Sequence, residues 1–179
     1  LLRGVVAAFG VASVFLVHKI GHKTSGNKAI GLVASIIFAF NLTHVAYSQL
    51  VKNEVPLVFF GLLVVYCSLV ILESTKKGPR FWSGFWAGVA TATAYTGIFF
   101  LVLPVVAELL ASKSKLKLRA LIKDHWKGLV TRALGSLVGF SLADPIFIFD
   151  NHLFRAKLEL SGQLLDGLLS PLALPAWKW

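Results

Sequence analysis

The most constraining feature of this sequence is a series of long apolar blocks separated by short polar or basic breaks. The first three blocks span residues 1–17, 29–47 and 56–72, and each is long enough to cross about 30 Å of hydrocarbon as a helix. Only 15% of the residues are charged, against about 25% in ordinary soluble domains. Since so few polar groups cannot cover a water-soluble core, we predict an integral membrane protein.

The next apolar stretch, residues 81–111, is 31 residues long, which is too long for one crossing without heavy tilt. Gly97 and Pro104 offer places for a break. The pattern therefore predicts two short helices that form a hairpin and return to the same side. A single tilted or kinked helix is the alternative.

The rest of the chain is less regular. The basic segment 112–127 has an apolar side and is predicted to lie at the interface. Residues 128–142 are predicted to form a short crossing in which Arg132 extends to the nearby interface. Residues 143–160 mix apolar and charged residues, as an interfacial or re-entrant segment does.

Together these segments predict an all-α fold, a polytopic transmembrane helical bundle of about six membrane helices that includes the short hairpin. Residues 1–160 form one predicted transmembrane region. Residues 161–179 form an apolar tail, which is predicted to start a further membrane or interfacial segment.

The positive charge follows the breaks between the apolar blocks. A net charge of +10 would suggest nucleic acid binding in a soluble protein. Here the loops 18–28, 73–80 and 112–132 hold 13 of the 18 lysines and arginines. With a hairpin at 81–111 these loops share one face, which the positive-inside rule makes cytoplasmic. The expected partner is the lipid bilayer and not nucleic acid, and the expected location is a membrane crossed several times, the plasma membrane in a prokaryote.

The opposite face gathers a second set of polar residues. Those singled out as a candidate binding site are His44, Lys52, Asn53, Glu54, Asp150 and Arg155. Ionisable groups close to hydrocarbon are costly and are functional candidates for that reason. A carboxylate there can act as a general base, hold a divalent cation, or pair with a neighbouring cation. Glu54 is accordingly a candidate metal ligand, although the sequence contains no zinc-type spacing of His and Cys.

Two segments carry a family resemblance. Residues 42–48 (LTHVAYS) and 53–60 (NEVPLVFF) resemble membrane glycosyltransferases of the GT-C class, and among them the dolichyl-phosphate-mannose-protein mannosyltransferase-like enzymes. Residues 87–97 resemble the Gly-rich stretch of that group. Residues 144–150 (DPIFIFD) are similar to its later Pro-aromatic-x-x-x-Asp pattern. The resemblance covers about residues 1–160.

The resemblance implies an activity. Such enzymes transfer a sugar from a polyprenyl-phosphate donor to an acceptor on the extracytoplasmic side. Glu54 and Asp150 match two acidic positions of the group, and Glu54 would lie near the donor phosphate or a divalent cation. The group's catalytic aspartate is expected upstream of Leu1, and the chain, which contains no methionine, is expected to be part of a longer enzyme. Ala94 stands where the group commonly has lysine, and Glu54 replaces the commoner aspartate.

Two other classes of function remain open at this stage, and the acceptor is not specified by any motif. A transporter-like protein would need broken helices and ionisable groups near the bilayer centre. A structural membrane subunit without catalytic activity would need no site.

Overall fold

A computed structural model describes residues 2–49, 52–73, 77–111 and 118–144, with the side chains of all of these except 49, 77 and 118–125. Within these ranges the secondary structure is entirely helical. The helices are α1 (Leu2–Ser25), α2 (Lys28–Ala39), α3 (Leu42–Gln49), α4 (Glu54–Glu73), α5 (Lys77–Thr93), a 3₁₀ helix (Tyr95–Leu101), α6 (Val102–Ala111) and α7 (Leu118–Ala143). The predicted boundary at residue 160 and the tail 161–179 lie outside the described residues.

Helices α1 and α4 lie side by side and run in the same direction. Near their first turns the ring of Phe9 lies 5.2 Å from Phe59 and 5.6 Å from Phe60. Near their last turns Lys23 Nζ lies 2.5 Å from a carboxylate oxygen of Glu73, 50 positions later in the chain. Both helices are long and apolar enough to cross a membrane. The two N-terminal ends therefore lie at one end of the bundle and the two C-terminal ends at the other.

The predicted block 29–47 is divided into two helices. Helices α2 and α3 meet at an angle of 62° and together are long and apolar enough to form a broken span. The break follows from Asn41, whose Oδ1 accepts a hydrogen bond from the backbone N–H of His44 at 3.2 Å. A side chain that caps the first turn in this way starts a new helix.

The predicted reversal within residues 81–111 is confirmed. The chain leaves α5 through Ala94, whose backbone is extended (φ −153°, ψ 138°), and continues into the 3₁₀ helix and α6. Nε of Arg80, in the first turn of α5, lies 3.1 Å from Oε1 of Glu108, in the last turn of α6. The start of α5 and the end of α6 therefore meet, as the two ends of a hairpin must.

Helix α7 corrects one sequence prediction. Residues 112–127 and 128–142 were assigned to an interfacial segment and a separate crossing, but Leu118–Ala143 is one continuous helix. No proline occurs within it, and a lone glycine such as Gly128 weakens a helix by only about 1 kcal/mol. That cost is too small to end a helix whose residues Gly135 and Gly139 lie directly against the backbone of α5.

The contact between α5 and α7 is made by glycines. A Cβ added at Gly84 or Gly88 would overlap the backbone carbonyl oxygen of Arg132 or Ser136. On the other side, a Cβ at Gly139 would overlap the carbonyl oxygen of Phe85. Small residues let helix backbones approach closely, which is the usual source of helix association in membranes.

Many large apolar side chains of the described helices face outward. Leu42, Phe99 and Val11 are 86%, 73% and 72% exposed, whereas Ser13 and Ser83 are fully buried. Large apolar side chains facing outward and small ones facing inward are expected of a helical bundle whose solvent is lipid. In the described part, two helices, or three with the bent pair, are long and apolar enough to span a membrane. The total of about six membrane helices stays a prediction.

Candidate functional site

A cavity of about 350 Å³ opens where α2, α3 and the first turns of α4 come together. Its lining residues are Phe38, Asn41, Thr43, His44, Tyr47, Glu54, Val55 and Val58. Ligand pockets of proteins have volumes of about 300–1,000 Å³ and combine apolar walls with a few polar groups. Size and lining are therefore both suited to a small polar group attached to an apolar chain.

His44 is anchored to α1 across the cavity wall. Its Nε2 lies 3.3 Å from the carbonyl oxygen of Gly10, and its ring centroid lies 4.3 Å from that of Phe38. Since a carbonyl oxygen only accepts hydrogen bonds, Nε2 carries the proton in this contact. Ser48 Oγ donates to the His44 carbonyl oxygen at 2.7 Å. These contacts hold the imidazole at a defined position.

Glu54 is the first residue of α4, and its side chain is exposed. Val55 beside it is 2% exposed and fixes the start of the helix in the bundle. The carboxylate lies at a helix N-terminus, where the partial positive charge of the helix dipole favours an anion. Among the described residues Glu54 forms no ion pair. It is therefore available to a ligand.

Lys52 and Asn53 adjoin the cavity. Lys52 Nζ lies 5.1 Å from the ring centroid of Tyr47, which is within range for a cation–π contact. Because Tyr47 lines the cavity, the ammonium is held near its edge. The Asn53 carbonyl oxygen accepts a hydrogen bond from the Leu57 N–H at 3.0 Å and so stabilises the first turn of α4.

The structure thus brings together part of the predicted site. His44 and Glu54 line one cavity and Lys52 lies beside it, whereas Asp150 and Arg155 lie outside the described residues. In the described ranges, no three or more His, Cys, Asp or Glu side chains lie close enough together to hold a metal ion. The roles of these residues in binding, and of Glu54 toward a metal ion, stay predictions.

A second polar cluster, formed by Arg80, Glu108 and Arg132, was not predicted. Glu108 and Arg132 are 5% and 4% exposed and form an ion pair through Oε2 and Nη2. Arg132 also donates from Nη1 to the carbonyl oxygen of Pro104 at 2.6 Å and from Nε to that of Gly128 at 3.1 Å. The prediction that Arg132 extends to the interface is therefore wrong, because the Glu108 carboxylate and two carbonyls compensate its charge inside the bundle.

A sequence signal for this cluster exists. Glu108 is the single acidic residue in the apolar block 81–111, and Arg132 is the single basic residue in 128–142. Isolated opposite charges in two apolar blocks usually pair with each other. None of the three residues lines the cavity near Glu54. Their contacts join α5, α6 and α7, which assigns the cluster a structural role.

Comparison with known proteins identifies the family. The sequence model described as dolichyl-phosphate-mannose-protein mannosyltransferase matches residues 2–143. This chain belongs to that family. No curated protein and no solved structure shows a significant match. The family resemblance of the sequence is thereby confirmed. Membership of this family indicates a membrane glycosyltransferase. The long apolar helices agree with a location in the membrane.

The mannosyltransferase match spans every described helix from α1 to α7. Both the cavity beside Glu54 and the Arg80–Glu108–Arg132 cluster therefore lie within the region that defines the family. The match assigns no role to individual residues.

Proposed function

We propose that this chain is part of a membrane glycosyltransferase that takes a sugar from a polyprenyl-phosphate donor and transfers it to an acceptor on the extracytoplasmic face. The observation that supports it most directly is the cavity that His44 and Glu54 both line, with Lys52 near its edge, inside the region matched by the family. In this proposal the cavity binds the sugar-phosphate end of the donor.

The cavity has groups suited to each part of such a donor. The Glu54 carboxylate and the polar side chains of Asn41 and Thr43 can form hydrogen bonds with sugar hydroxyls. The Lys52 ammonium suits the negatively charged phosphate. Phe38 and Val58 provide apolar wall on which the first carbons of the polyprenyl chain can lie.

The chemistry is a displacement at the anomeric carbon. An acceptor hydroxyl attacks that carbon and gives its proton to a general base outside the described residues. The bond between the carbon and the phosphate oxygen breaks, and polyprenyl phosphate leaves with the electron pair. A cation placed beside the leaving phosphate stabilises its developing charge, which is the role we give to Lys52. To the described residues we assign donor binding, and not the removal of the acceptor proton.

The lining residues also fit a divalent cation that is shared with the donor. Mg²⁺ in proteins is usually held by one or two carboxylates together with substrate phosphates and water. Glu54 is the single carboxylate among the described lining residues, and the amide of Asn41 and the hydroxyl of Thr43 are further oxygen donors. A cation bound there would neutralise charge on the phosphate.

The decisive variant is Glu54→Gln in the full-length protein. With dolichyl-phosphate mannose as the probe in detergent micelles, we expect binding to weaken about tenfold or more, since a charge-assisted hydrogen bond is replaced by a neutral one. Glu73→Gln is the matched control, because it makes the same change at the opposite end of α4. Equal affinity of the Glu54→Gln protein and the unaltered protein would refute the proposal, as would an equal loss in the control.

A transporter is the second candidate, and the bent α2–α3 pair favours it. The buried charges argue against it, because Glu108 and Arg132 pair with each other and do not line the cavity. Solute uptake by reconstituted full-length protein that is lost in Glu54→Gln would establish the transporter instead.

A further inference from the structure

A second cavity, of about 480 Å³, lies at the opposite ends of α1 and α4 and is here called the basic pocket. Its lining residues are Phe15, His18, Lys19, His22 and Lys23 of α1 and Tyr66 of α4. The α1 residues follow the i, i+3, i+4, i+7, i+8 pattern, so they share one face of the helix. Tyr66, the α4 residue of the basic pocket, follows Glu54 by 12 positions, which is about 18 Å along the helix at 1.5 Å per residue. The basic pocket is therefore distant from the Glu54 cavity.

The basic pocket has more positive charge and hydrogen-bond donors than its protein partners satisfy. Lys19 is exposed, its Nζ lies 4.9 Å from the Phe15 ring, and it forms no ion pair in the described part of the chain. Lys23 pairs with Glu73, but the Glu73 side chain is itself 60% exposed. An anion with several oxygen atoms matches this arrangement.

An apolar groove of about 380 Å³ adjoins the basic pocket, and Tyr66 lines both. The groove lies between α4 and α5, and its other lining residues are Cys67, Val70, Gly78, Pro79, Trp82 and Trp86. On α1, the exposed side chains of Val11 and Phe15 continue the face that carries Lys19 and Lys23. A cationic pocket next to an apolar groove is suited to an amphiphile with an anionic head.

We propose that the basic pocket binds the phosphate of an anionic phospholipid whose acyl chain lies in the apolar groove. The phosphate oxygens accept hydrogen bonds from Lys19, His22 and Lys23. A lipid is favoured over free phosphate because the adjoining apolar groove can accommodate an acyl chain. Moreover, these residues belong to the basic end of the helices, and a leaflet that faces basic loops commonly contains anionic lipids. The site is independent of the donor cavity at Glu54.

The test uses full-length protein in dodecylmaltoside micelles with added phosphatidylglycerol or phosphatidylcholine. Native mass spectrometry measures the fraction of protein that retains each lipid. We expect preferential retention of phosphatidylglycerol, and about tenfold weaker binding for Lys19→Gln, which removes one charged hydrogen-bond donor. Lys28→Gln is the matched control, because Lys28 lies at the same end, is exposed and does not line the pocket. Lys19→Glu should weaken phosphatidylglycerol binding further.

Three results would overturn the proposal. One is equal retention of the two lipids, and another is an equal loss in Lys28→Gln. The third is binding of inorganic phosphate as tight as that of phosphatidylglycerol, which would make the ligand free phosphate. Val70→Trp, which fills the groove, should weaken phosphatidylglycerol binding and leave dolichyl-phosphate mannose binding unchanged. An exposed residue such as Lys19 can be changed without disturbing the core, so folding does not confound the main comparison.

Discussion

Loss of the Glu108 carboxylate should destabilise the bundle strongly. The Glu108 carboxylate forms ion pairs with Arg80 through Oε1 and with Arg132 through Oε2, and the side chain is only 6% exposed. The change Glu108→Gln keeps the shape but leaves the buried guanidinium of Arg132 without a counter-charge. Breaking a buried pair from one side costs about 3–5 kcal/mol. The carbonyl oxygens of Pro104 and Gly128 still accept from Arg132, so we expect the lower value, about 3 kcal/mol.

The assay is reversible unfolding of the full-length protein in mixed micelles of dodecylmaltoside and sodium dodecyl sulfate, followed by tryptophan fluorescence. Glu73→Gln is the control, because Glu73 forms an ion pair with Lys23 at the surface, where such pairs contribute about 0–1 kcal/mol. The double change Glu108→Leu with Arg132→Met should recover most of the loss, since it leaves neither member of the buried pair charged. If Glu108→Gln unfolds with the same free energy as Glu73→Gln, the cluster does not stabilise the fold as argued.

Two further predictions concern helix packing and orientation. Gly88→Ala should lower the free energy of unfolding by about 1–3 kcal/mol, because the added Cβ would overlap the carbonyl oxygen of Ser136. Gly4→Ala is the control in the same unfolding assay. No atom lies near the Cβ that it adds, so it should have no such effect. In a cysteine-free background, a membrane-impermeant maleimide should label Lys52→Cys from the extracytoplasmic side and Lys28→Cys from the cytoplasmic side. Labelling of both from one side would refute the predicted orientation.

Several parts of the fold could be predicted because length and composition determine them. The apolar block 56–72 is α4, and Pro56 lies in its first turn, where proline needs no hydrogen bond from its nitrogen. The reversal in 81–111 was predicted because 31 residues exceed one crossing. The break before α3 was not predicted, since it depends on the Asn41 side chain capping the His44 N–H. That contact is local, and it does not change the high average hydrophobicity by which residues 29–47 were read as one block.

The site was predicted in part for a similar reason. Placing His44 and Glu54 on the same face needed only the sidedness of the loops, and the structure puts both around one cavity. The buried cluster was missed because Glu108 and Arg132 are 24 positions apart and were considered singly. Their pairing depends on how α6 packs against α7, and no periodicity within either helix specifies that.

The glycine contacts between α5 and α7 have a mechanical consequence. At Gly84, Gly88 and Gly139 a backbone carbonyl of the other helix lies where a Cβ would be. No side chain separates the two helices at these positions, so a relative displacement there would have to move backbone atoms. The interface between α4 and α5 is different, because side chains lie between the helices there. The ring centroids of Phe60 and Trp86 are 5.8 Å apart and the rings are stacked, so they can shift parallel to each other without a change in the helix backbones. If helices of this bundle slide against each other, we therefore expect the displacement at the Phe60–Trp86 contact and not at the glycine contacts.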